Sequence, residues 1–177
     1  MKIYVVRHCA ATGQAADSPL TPGGEAQADW LADVLAEKGI GAIASSPYLR
    51  ARSSATPLAQ RLGLEVRLDP RLAERVLSQR PLPDWQAALR RTFEDPDLSY
   101  AGGETSRAAT ARGLQALGEV SEGACDAAAV VTHGGLMALI LRSFDASFGF
   151  DAWATLENPD CYVITQSQGT AAVQRVW

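Results

Sequence analysis

The chain has 177 residues, 47% of them hydrophobic and 20% charged, and this composition predicts one globular domain with a substantial core. Its formal net charge of −4 disfavours nucleic acid as the main partner, and the chain lacks an apolar run long enough to span a membrane. Three cysteines at unrelated spacings (Cys9, Cys125 and Cys161) and the lack of a basic-then-apolar leader predict a cytoplasmic protein without a disulfide framework.

Two apolar runs, each ending at one of the chain's two histidines, predict buried parallel strands. Residues 3–6 lead into Arg7 and His8, and residues 129–132 lead into His133. Continuous runs rich in Val and Ile are typical of strands covered on both faces. Ligands bind beyond the carboxyl ends of such strands, so both imidazoles and Arg7 are expected at that edge of the sheet. A lone histidine there would more often only cap its strand, but two at equivalent strand ends favour a functional site.

Strand and helix signals alternate along the chain, which predicts an α/β fold, a three-layer α/β/α sandwich around a mostly parallel sheet. Thr21 and Pro22 have the residue types of an N-cap and a first helical position, and Gly39 suits the end of that helix. The other predicted elements are a strand over 40–44, a helix over 49–62 with a kink or late start at Pro57, a strand over 64–68, helices over 84–93, 106–120 and 135–144, and strands over 161–166 and 171–176 around Gln168-Gly169. Residues 69–105 form the longest irregular stretch.

Positive charge is concentrated in residues 50–91, which hold nine arginines against four acidic residues. Such a segment in an acidic protein favours one of two interpretations. It lines the approach to an anionic substrate, or its arginines lie on solvated surfaces and pair with carboxylates elsewhere.

Common catalytic and metal-binding motifs are absent from the sequence. It has no phosphate-binding loop, dinucleotide fingerprint, nucleophile elbow or zinc-ligand pattern, and no cysteine is followed six positions later by an arginine, as in cysteine-dependent phosphatases. The remaining candidates are two arginines, two histidines and one carboxylate: Arg7, His8, Arg50, Glu74 and His133. The planar guanidinium of arginine can donate two parallel hydrogen bonds to phosphate oxygens. Arg50 lies in the first turn of a predicted helix, where free backbone N–H groups also favour binding of an anion.

Six short motifs follow one another along nearly the whole chain. They are Arg7-His8, L-T-x-x-G at 20–24, S-S-P-x-x-R-A at 45–51, L-x-E at 72–74, G-G-E at 102–104 and T-H-G-G at 132–135. In this order they resemble the histidine phosphatase superfamily, the phosphoglycerate-mutase-like proteins. The resemblance implies a phosphoglycerate-mutase-like single domain over 1–177, of the branch without a large cap, with 69–105 as a small cap or specificity segment.

The resemblance also implies a mechanism that needs no metal or other cofactor. His8 is the expected nucleophile, while Arg7, Arg50 and His133 are expected to surround the phosphoryl group of a small phosphorylated metabolite. Glu74 is the expected proton donor to the departing alcohol. Further substrate contacts are expected from Thr12, Gly13, Glu104 and Gly134.

This chain departs from the family pattern at two places. Cys9 and Ala10 follow the nucleophile, where the family usually has glycine and then an acidic or polar residue; Cys9 is expected to be a small buried residue rather than a reactive thiolate. Glu74 lacks the aromatic and glycine residues that usually follow the family's acid. Asp84 and Glu104 therefore remain alternative proton donors.

Three functions remain open at this point. About thirty residues separate Glu74 from Ser106, and so short a cap favours an open site and phosphomonoester hydrolysis. The alternatives are a phosphoglycerate mutase, which must hold its intermediate away from water, and a non-catalytic module that binds a phosphorylated ligand. The sequence leaves the substrate and the oligomeric state open.

Overall fold

A computed structural model describes residues 1–122, 126–167 and 170–177. The predicted turn at Gln168-Gly169 and Cys125 lie outside the described residues. The strands are β1 (Lys2–Arg7), β2 (Ile40–Ser45), β3 (Val66–Leu68), β4 (Ala127–Thr132), β5 (Asp160–Ser167) and β6 (Thr170–Arg175). The helices are α1 (Pro22–Ala36), α2 (Leu49–Leu62), α3 (Trp85–Glu94), α4 (Ser106–Glu122), α5 (Gly134–Arg142) and α6 (Phe150–Ala154), with a 3-10 turn over Pro70–Leu72.

The six strands form one sheet in the order β3-β2-β4-β1-β5-β6. β1, β2, β3 and β4 pair in parallel, whereas β5 runs antiparallel to both β1 and β6. Side chains of β1 alternate between the two faces: Ile3 and Val5 pack with α3, α4 and α5, while Tyr4 and Val6 pack with α1 and α2. The predicted three-layer α/β sandwich is confirmed.

The ends of the first two helices follow their sequence signals. The Oγ1 of Thr21 accepts a hydrogen bond from the Gly24 amide at 2.9 Å and so caps α1. Gly63 ends α2 with a φ of +65°, in the left-handed region that favours glycine. α2 runs without a break from Leu49, so the late start considered for Pro57 is wrong. A proline inside a helix removes one backbone hydrogen bond. The burial of three alanines and one leucine on α2 stabilises the helix against that loss.

Three strand ends meet at one edge of the sheet and build the floor of the site. Arg7 is paired in register with Thr132, and the His8 amide donates to the Thr132 oxygen at 3.0 Å. The Ser46 amide, just beyond β2, donates to the oxygen of Val131 at 2.9 Å. The segments that follow β1, β2 and β4 are therefore side by side.

Several element boundaries differ from expectation by a few residues, and one helix was not predicted. β3 is shorter than predicted and begins at Val66, and α5 ends at Arg142. α6 was not predicted, because five residues are too few for a helical period to show. Within 69–105 the predicted helix is confirmed as α3, and the Oδ1 of Asp84 caps it by accepting from the Ala87 amide at 3.1 Å.

Candidate active site

The two histidines lie next to each other at the carboxyl edge of the sheet, as expected. His8 follows β1 and His133 follows β4, and these two strands are parallel neighbours. Their ring centroids are 5.1 Å apart in an edge-to-face arrangement. The strand register alone brings them together.

His8 is held as a neutral imidazole with its lone pair on Nε2. Its Nδ1 lies 2.7 Å from the carbonyl oxygen of Cys9, an acceptor only, so the ring proton is on Nδ1. Nε2 then carries the lone pair and accepts from Nε of Arg50 at 3.1 Å. Burial, and after it the charges of Arg50 and Arg7, lower the pKa of His8 to about 4 although the Cys9 bond opposes this. The ring is therefore uncharged at neutral pH.

His133 is also a neutral imidazole, but the ring atom that lacks a partner in the described part of the chain is Nδ1 rather than Nε2. Its side chain is 1% exposed, and burial, followed by the influence of His8 and Arg50, lowers its pKa to about 2. Its Nε2 lies 2.8 Å from the Oγ of Ser46, which accepts from the Tyr48 amide at 3.3 Å and so has its own proton to donate to the ring. With Ser46 as the donor to Nε2, we place the proton of His133 on Nδ1, a buried atom without a partner among the described residues.

Arg50 connects the nucleophile to the loop that follows it. It occupies the first turn of α2 and is 1% exposed. Besides the bond from Nε to His8, its Nη1 donates to the carbonyl oxygens of Gln14 at 3.2 Å and Ala15 at 2.8 Å. Its guanidinium lies 5.0 Å from the centre of the Tyr48 ring. One buried side chain thus fixes both the imidazole and the loop.

Arg7 is anchored at one end only. Its Nη1 donates to the Leu156 oxygen at 2.6 Å, whereas its buried Nε has no partner in the described protein. A Cβ on Gly134 would lie 3.1 Å from that Nε, so a larger residue there would require the guanidinium to shift by a few tenths of an ångström. Asn158, which the sequence reasoning missed, donates from Nδ2 to the His8 carbonyl oxygen at 2.6 Å.

Glu74 is bound at the N-terminus of α5. Its Oε1 accepts from the amides of Arg75 at 2.8 Å and Leu136 at 2.9 Å, and its Oε2 accepts from Gly135 at 2.9 Å. A Cβ on Gly135 would lie 2.8 Å from Oε1. Since an oxygen has two lone pairs, Oε2 keeps one position for a proton.

The alternative acids lie elsewhere. Glu104 forms a two-fold ion pair with Arg112 at 2.7 and 2.8 Å, and Arg112 Nη1 also donates to the carbonyl oxygens of Arg71 and Ala73, just before Glu74. Asp84 caps α3. Neither Asp84 nor Glu104 borders the cavity described next, so the structure does not bring Glu104 to the expected substrate position.

A cavity of about 440 Å³ opens beside these groups. Two of the four expected substrate contacts, Gly13 and Gly134, line it, but Thr12 does not: its amide and hydroxyl both donate to the Pro19 oxygen. Arg50 and His133 are buried and do not line the cavity, but both contact His8, which does. Its lining residues are Arg7, His8, Ala11, Gly13, Gln14, Glu74, Trp85, Gly134, Gly135, Trp153 and Asn158.

Cys9 has the properties of a packed thiol. It is fully buried, its amide donates to the Oγ of Ser54 at 2.9 Å, and burial raises the pKa of its thiol to about 11. The side chain is therefore protonated at neutral pH, which agrees with a small buried residue and not with a second nucleophile.

Most arginines of the basic segment, residues 50–91, lie on the protein surface. Arg50 belongs to the site, but Arg61 pairs with Asp33 at 2.6 Å and Arg90 pairs with Asp151 at 2.9 Å. Among the residues that the structure describes, no three His, Cys, Asp or Glu side chains are grouped as metal ligands. Across the same ranges, none of the helices combines the length and the apolar character that crossing a bilayer requires.

Fold and site together define an α/β protein that gathers two histidines, two arginines and a carboxylate at the carboxyl edge of a mainly parallel sheet. The model of the histidine phosphatase superfamily (branch 1) matches residues 3–176, and the chain belongs to this superfamily.

Among curated proteins, the chain is 41% identical over 81 residues to a probable phosphoglycerate mutase GpmB of Escherichia fergusonii, a match that covers 42% of this chain and 38% of that protein. An uncharacterized protein of Mycobacterium tuberculosis is 38% identical over 80 residues, 41% of this chain and 40% of its own length. The chain thus matches well under half the length of these relatives.

Solved structures share the fold over nearly the whole chain. A mycobacterial glucosyl-3-phosphoglycerate phosphatase superposes with a TM-score of 0.76 and 24% identity, covering 98% of this chain and 96% of that one. YhfR of Bacillus stearothermophilus gives a TM-score of 0.78 at 22% identity, over 98% of this chain and 95% of its own.

Proposed function

We propose that this chain hydrolyses phosphomonoesters through a phosphohistidine intermediate on His8, without a metal. One observation carries the proposal: a neutral imidazole with its lone pair on Nε2 lies among donors that lack protein acceptors. Among the described residues, Nε of Arg7 and Nδ1 of His133 are buried without a hydrogen-bond partner, and we assign a proton to each. Because buried polar atoms are almost always hydrogen-bonded, two orphans at one site indicate that a ligand supplies the acceptor oxygens.

In the first step, Nε2 of His8 attacks phosphorus and the bond from phosphorus to the alcohol oxygen breaks. Arg50 gives up its bond to Nε2 and turns its N–H to a phosphoryl oxygen, joining Arg7 and His133. Glu74 delivers a proton from Oε2 to the departing oxygen. The positive charge that develops on the ring is stabilised at Nδ1–H by the carbonyl of Cys9.

In the second step, water replaces the alcohol. Glu74, now ionised, takes a proton from the water as its oxygen attacks phosphorus, and the bond from phosphorus to Nε2 breaks. His8 returns to its neutral form and free phosphate leaves. The three amides that bind Glu74 keep its carboxylate in place through both steps.

We further propose that the substrate is a small phosphorylated metabolite and that residues 69–105 form a small cap over the site. Trp85 of α3 lies in that segment and lines the cavity, which supports a role in specificity. One solved relative in fold, at a TM-score of 0.77 and 18% identity, is an Entamoeba histolytica phosphoserine phosphatase variant in complex with phosphoserine.

Phosphoglycerate mutase is the second candidate, because curated relatives such as the Escherichia fergusonii protein carry that name. A mutase must bind the carboxylate of phosphoglycerate and shield the phosphohistidine from water. Among the described residues that line the cavity, one side chain is cationic, Arg7, and the phosphoryl group already occupies it in the proposed mechanism. This favours hydrolysis.

The test is incubation with p-nitrophenyl phosphate and with 3-phosphoglycerate, followed by ³¹P NMR. Release of inorganic phosphate supports the phosphatase, whereas formation of 2-phosphoglycerate without net phosphate release supports the mutase. Binding of inorganic phosphate without turnover of either ester would support the non-catalytic module instead. His8→Ala should abolish both turnover and any acid-labile phosphoryl label; a label that persists in this variant rules out the proposed nucleophile.

A further inference from the structure

Two tryptophans from separate helices form part of the wall of the candidate active-site cavity. Trp85 is the first residue of α3 and Trp153 lies in α6; their ring centroids are 6.0 Å apart and the planes meet at 88°. Both line the same cavity as Arg7 and His8. An edge-to-face pair of large rings is thus in reach of a ligand bound at the nucleophile.

Contacts between α3 and α6 support the tryptophan pair. Arg90 of α3 donates to the Oδ1 of Asp151 in α6 at 2.9 Å, and its guanidinium lies 4.1 Å from the centre of the Phe150 ring. Phe150 in turn packs against Trp153 with ring centroids 5.2 Å apart. These contacts connect α6 to α3 and place the two indoles next to each other.

Apolar space continues beyond the tryptophans. A second cavity of about 140 Å³ is bordered by both indoles and by Leu77 and Leu89. Trp85 nevertheless remains 48% exposed, so part of its side chain is accessible to a ligand. Aromatic rings with one open face are typical of surfaces that bind another ring.

The charges around this space disfavour an anionic ligand group. Arg7 is the one cationic side chain among the described residues that line the larger cavity. Arg75 borders the smaller cavity, but it is 7% exposed, and its Nη1 and Nη2 already donate to the hydroxyls of Ser106 and Thr92. A second anionic group on the ligand would find no free cation among the described residues that line either cavity.

We infer that Trp85 and Trp153 form the subsite for the leaving group, and that this subsite takes an uncharged alcohol carrying an aromatic or heteroaromatic ring. The inference rests on the proposed function, because it specifies the alcohol that hydrolysis releases. The ring packs against the indoles while the phosphoryl group lies at His8. Aryl packing of this kind changes affinity by about tenfold.

The test compares 2-phenylethyl phosphate with n-propyl phosphate, two alkyl esters that differ in the ring and not in the kind of oxygen that leaves. The wild-type protein should have a KM about tenfold lower for the phenylethyl ester, with similar kcat. Trp85→Ala and Trp153→Ala should remove this preference, and Trp85→Phe and Trp153→Phe should keep most of it. Equal KM values for the two esters in the wild type would overturn the inference.

Trp30→Ala is the matched control. Trp30 is 43% exposed and pairs edge-to-face with Trp177 at 4.7 Å, but it lies on α1, on the other face of the sheet. Its removal should leave the preference unchanged. A preference that survives in Trp85→Ala and in Trp153→Ala, or one that is lost equally in Trp30→Ala, contradicts the proposed subsite.

A binding measurement separates this inference from the proposed function. Titration of the His8→Ala protein with 3-phenylpropylphosphonate and propylphosphonate, neither of which can be hydrolysed, should show about tenfold tighter binding of the aryl compound. If the wild type hydrolyses no ester, the proposed function fails, and the same titration still supports or overturns the subsite by itself. Equal dissociation constants for the two phosphonates overturn it.

Discussion

Nε of Arg50 donates to Nε2 of His8 at 3.1 Å, so the cation is hydrogen-bonded to the very atom that would act as nucleophile. This contact has two consequences. A guanidinium N–H directed at Nε2 keeps a proton off that position, and this bond must break before the lone pair can attack phosphorus. The same N–H is already next to the site that a phosphoryl oxygen would enter, so little reorganisation is needed for catalysis.

The first prediction concerns the protonation of the two imidazoles. At pH 6 an ordinary histidine is mostly protonated, but both rings should remain neutral here because their pKa values are lowered to about 4 for His8 and about 2 for His133. Long-range ¹H–¹⁵N NMR should show the proton on Nδ1 of each ring. The chain has two histidines, so His133→Gln leaves a single ring to assign. A ring that titrates near pH 6.5 contradicts the prediction.

The second prediction concerns stability against pH. The folded pKa of His8 lies below the unfolded value of 6.5, so the unfolded chain binds protons more readily. The stability that the neutral ring contributes is therefore present above pH 6.5 and lost as the pH falls toward 4. Urea unfolding should give a free energy of unfolding that decreases over this range, and less steeply in His8→Gln. Parallel curves for the two proteins would show that His8 titrates normally.

The third prediction is that Arg50→Lys lowers kcat by about 10²- to 10³-fold, the loss typical of removing one donor to a transition-state oxyanion. A lysine cannot bond the imidazole and the carbonyls of Gln14 and Ala15 together. Steady-state kinetics measure the change in kcat, and a melting curve measures any change in stability. Arg52→Lys, an exposed change two positions along α2, is the control and should leave kcat unchanged. Similar kcat values for both variants would mean that Arg50 has only a structural role.

Much of the site was predictable because its residues follow buried strands directly. Arg7, His8 and His133 directly follow apolar runs. The parallel register of β1 and β4 then places the ends of these runs side by side. Asn158 was not predictable in this way. It reaches His8 because β5 pairs antiparallel with β1, with Asp160 opposite Arg7, and a single sequence does not show which strands pair.

Other features depend on contacts between distant segments. Trp153 lies in α6, whose five residues show no period, and it meets Trp85 only through the packing of α6 on α3. Glu104 belongs to a recognisable motif, but its carboxylate pairs with Arg112 on α4 and does not border the cavity. Short helices and side-chain ion pairs of this kind are set by tertiary contacts rather than by local pattern.

The fourth prediction tests the position of Glu74 through a glycine. A Cβ at residue 135 would lie 2.8 Å from Oε1 of Glu74, so Gly135→Ala should displace the carboxylate and lower kcat for alkyl phosphates by about tenfold or more. At Gly118 in α4 a Cβ would meet nothing within 4 Å, and Gly118→Ala should stabilise the protein by up to about 1 kcal/mol without changing kcat. Unchanged kcat in Gly135→Ala would show that the position of Glu74 is unimportant.

The fifth prediction identifies the proton donor. Glu74→Gln should lower kcat for alkyl phosphates by about 10²-fold or more, the usual range for general acid catalysis, and by less than about tenfold for p-nitrophenyl phosphate, whose leaving group needs little protonation. Asp84→Asn and Glu104→Gln are the controls: the first removes a charge from the cap of α3, the second the ion pair with Arg112, and neither carboxylate borders the cavity. Both controls should affect the two substrates equally. If instead one of them shows the leaving-group dependence and Glu74→Gln does not, that carboxylate is the acid, and the cavity must rearrange to admit it.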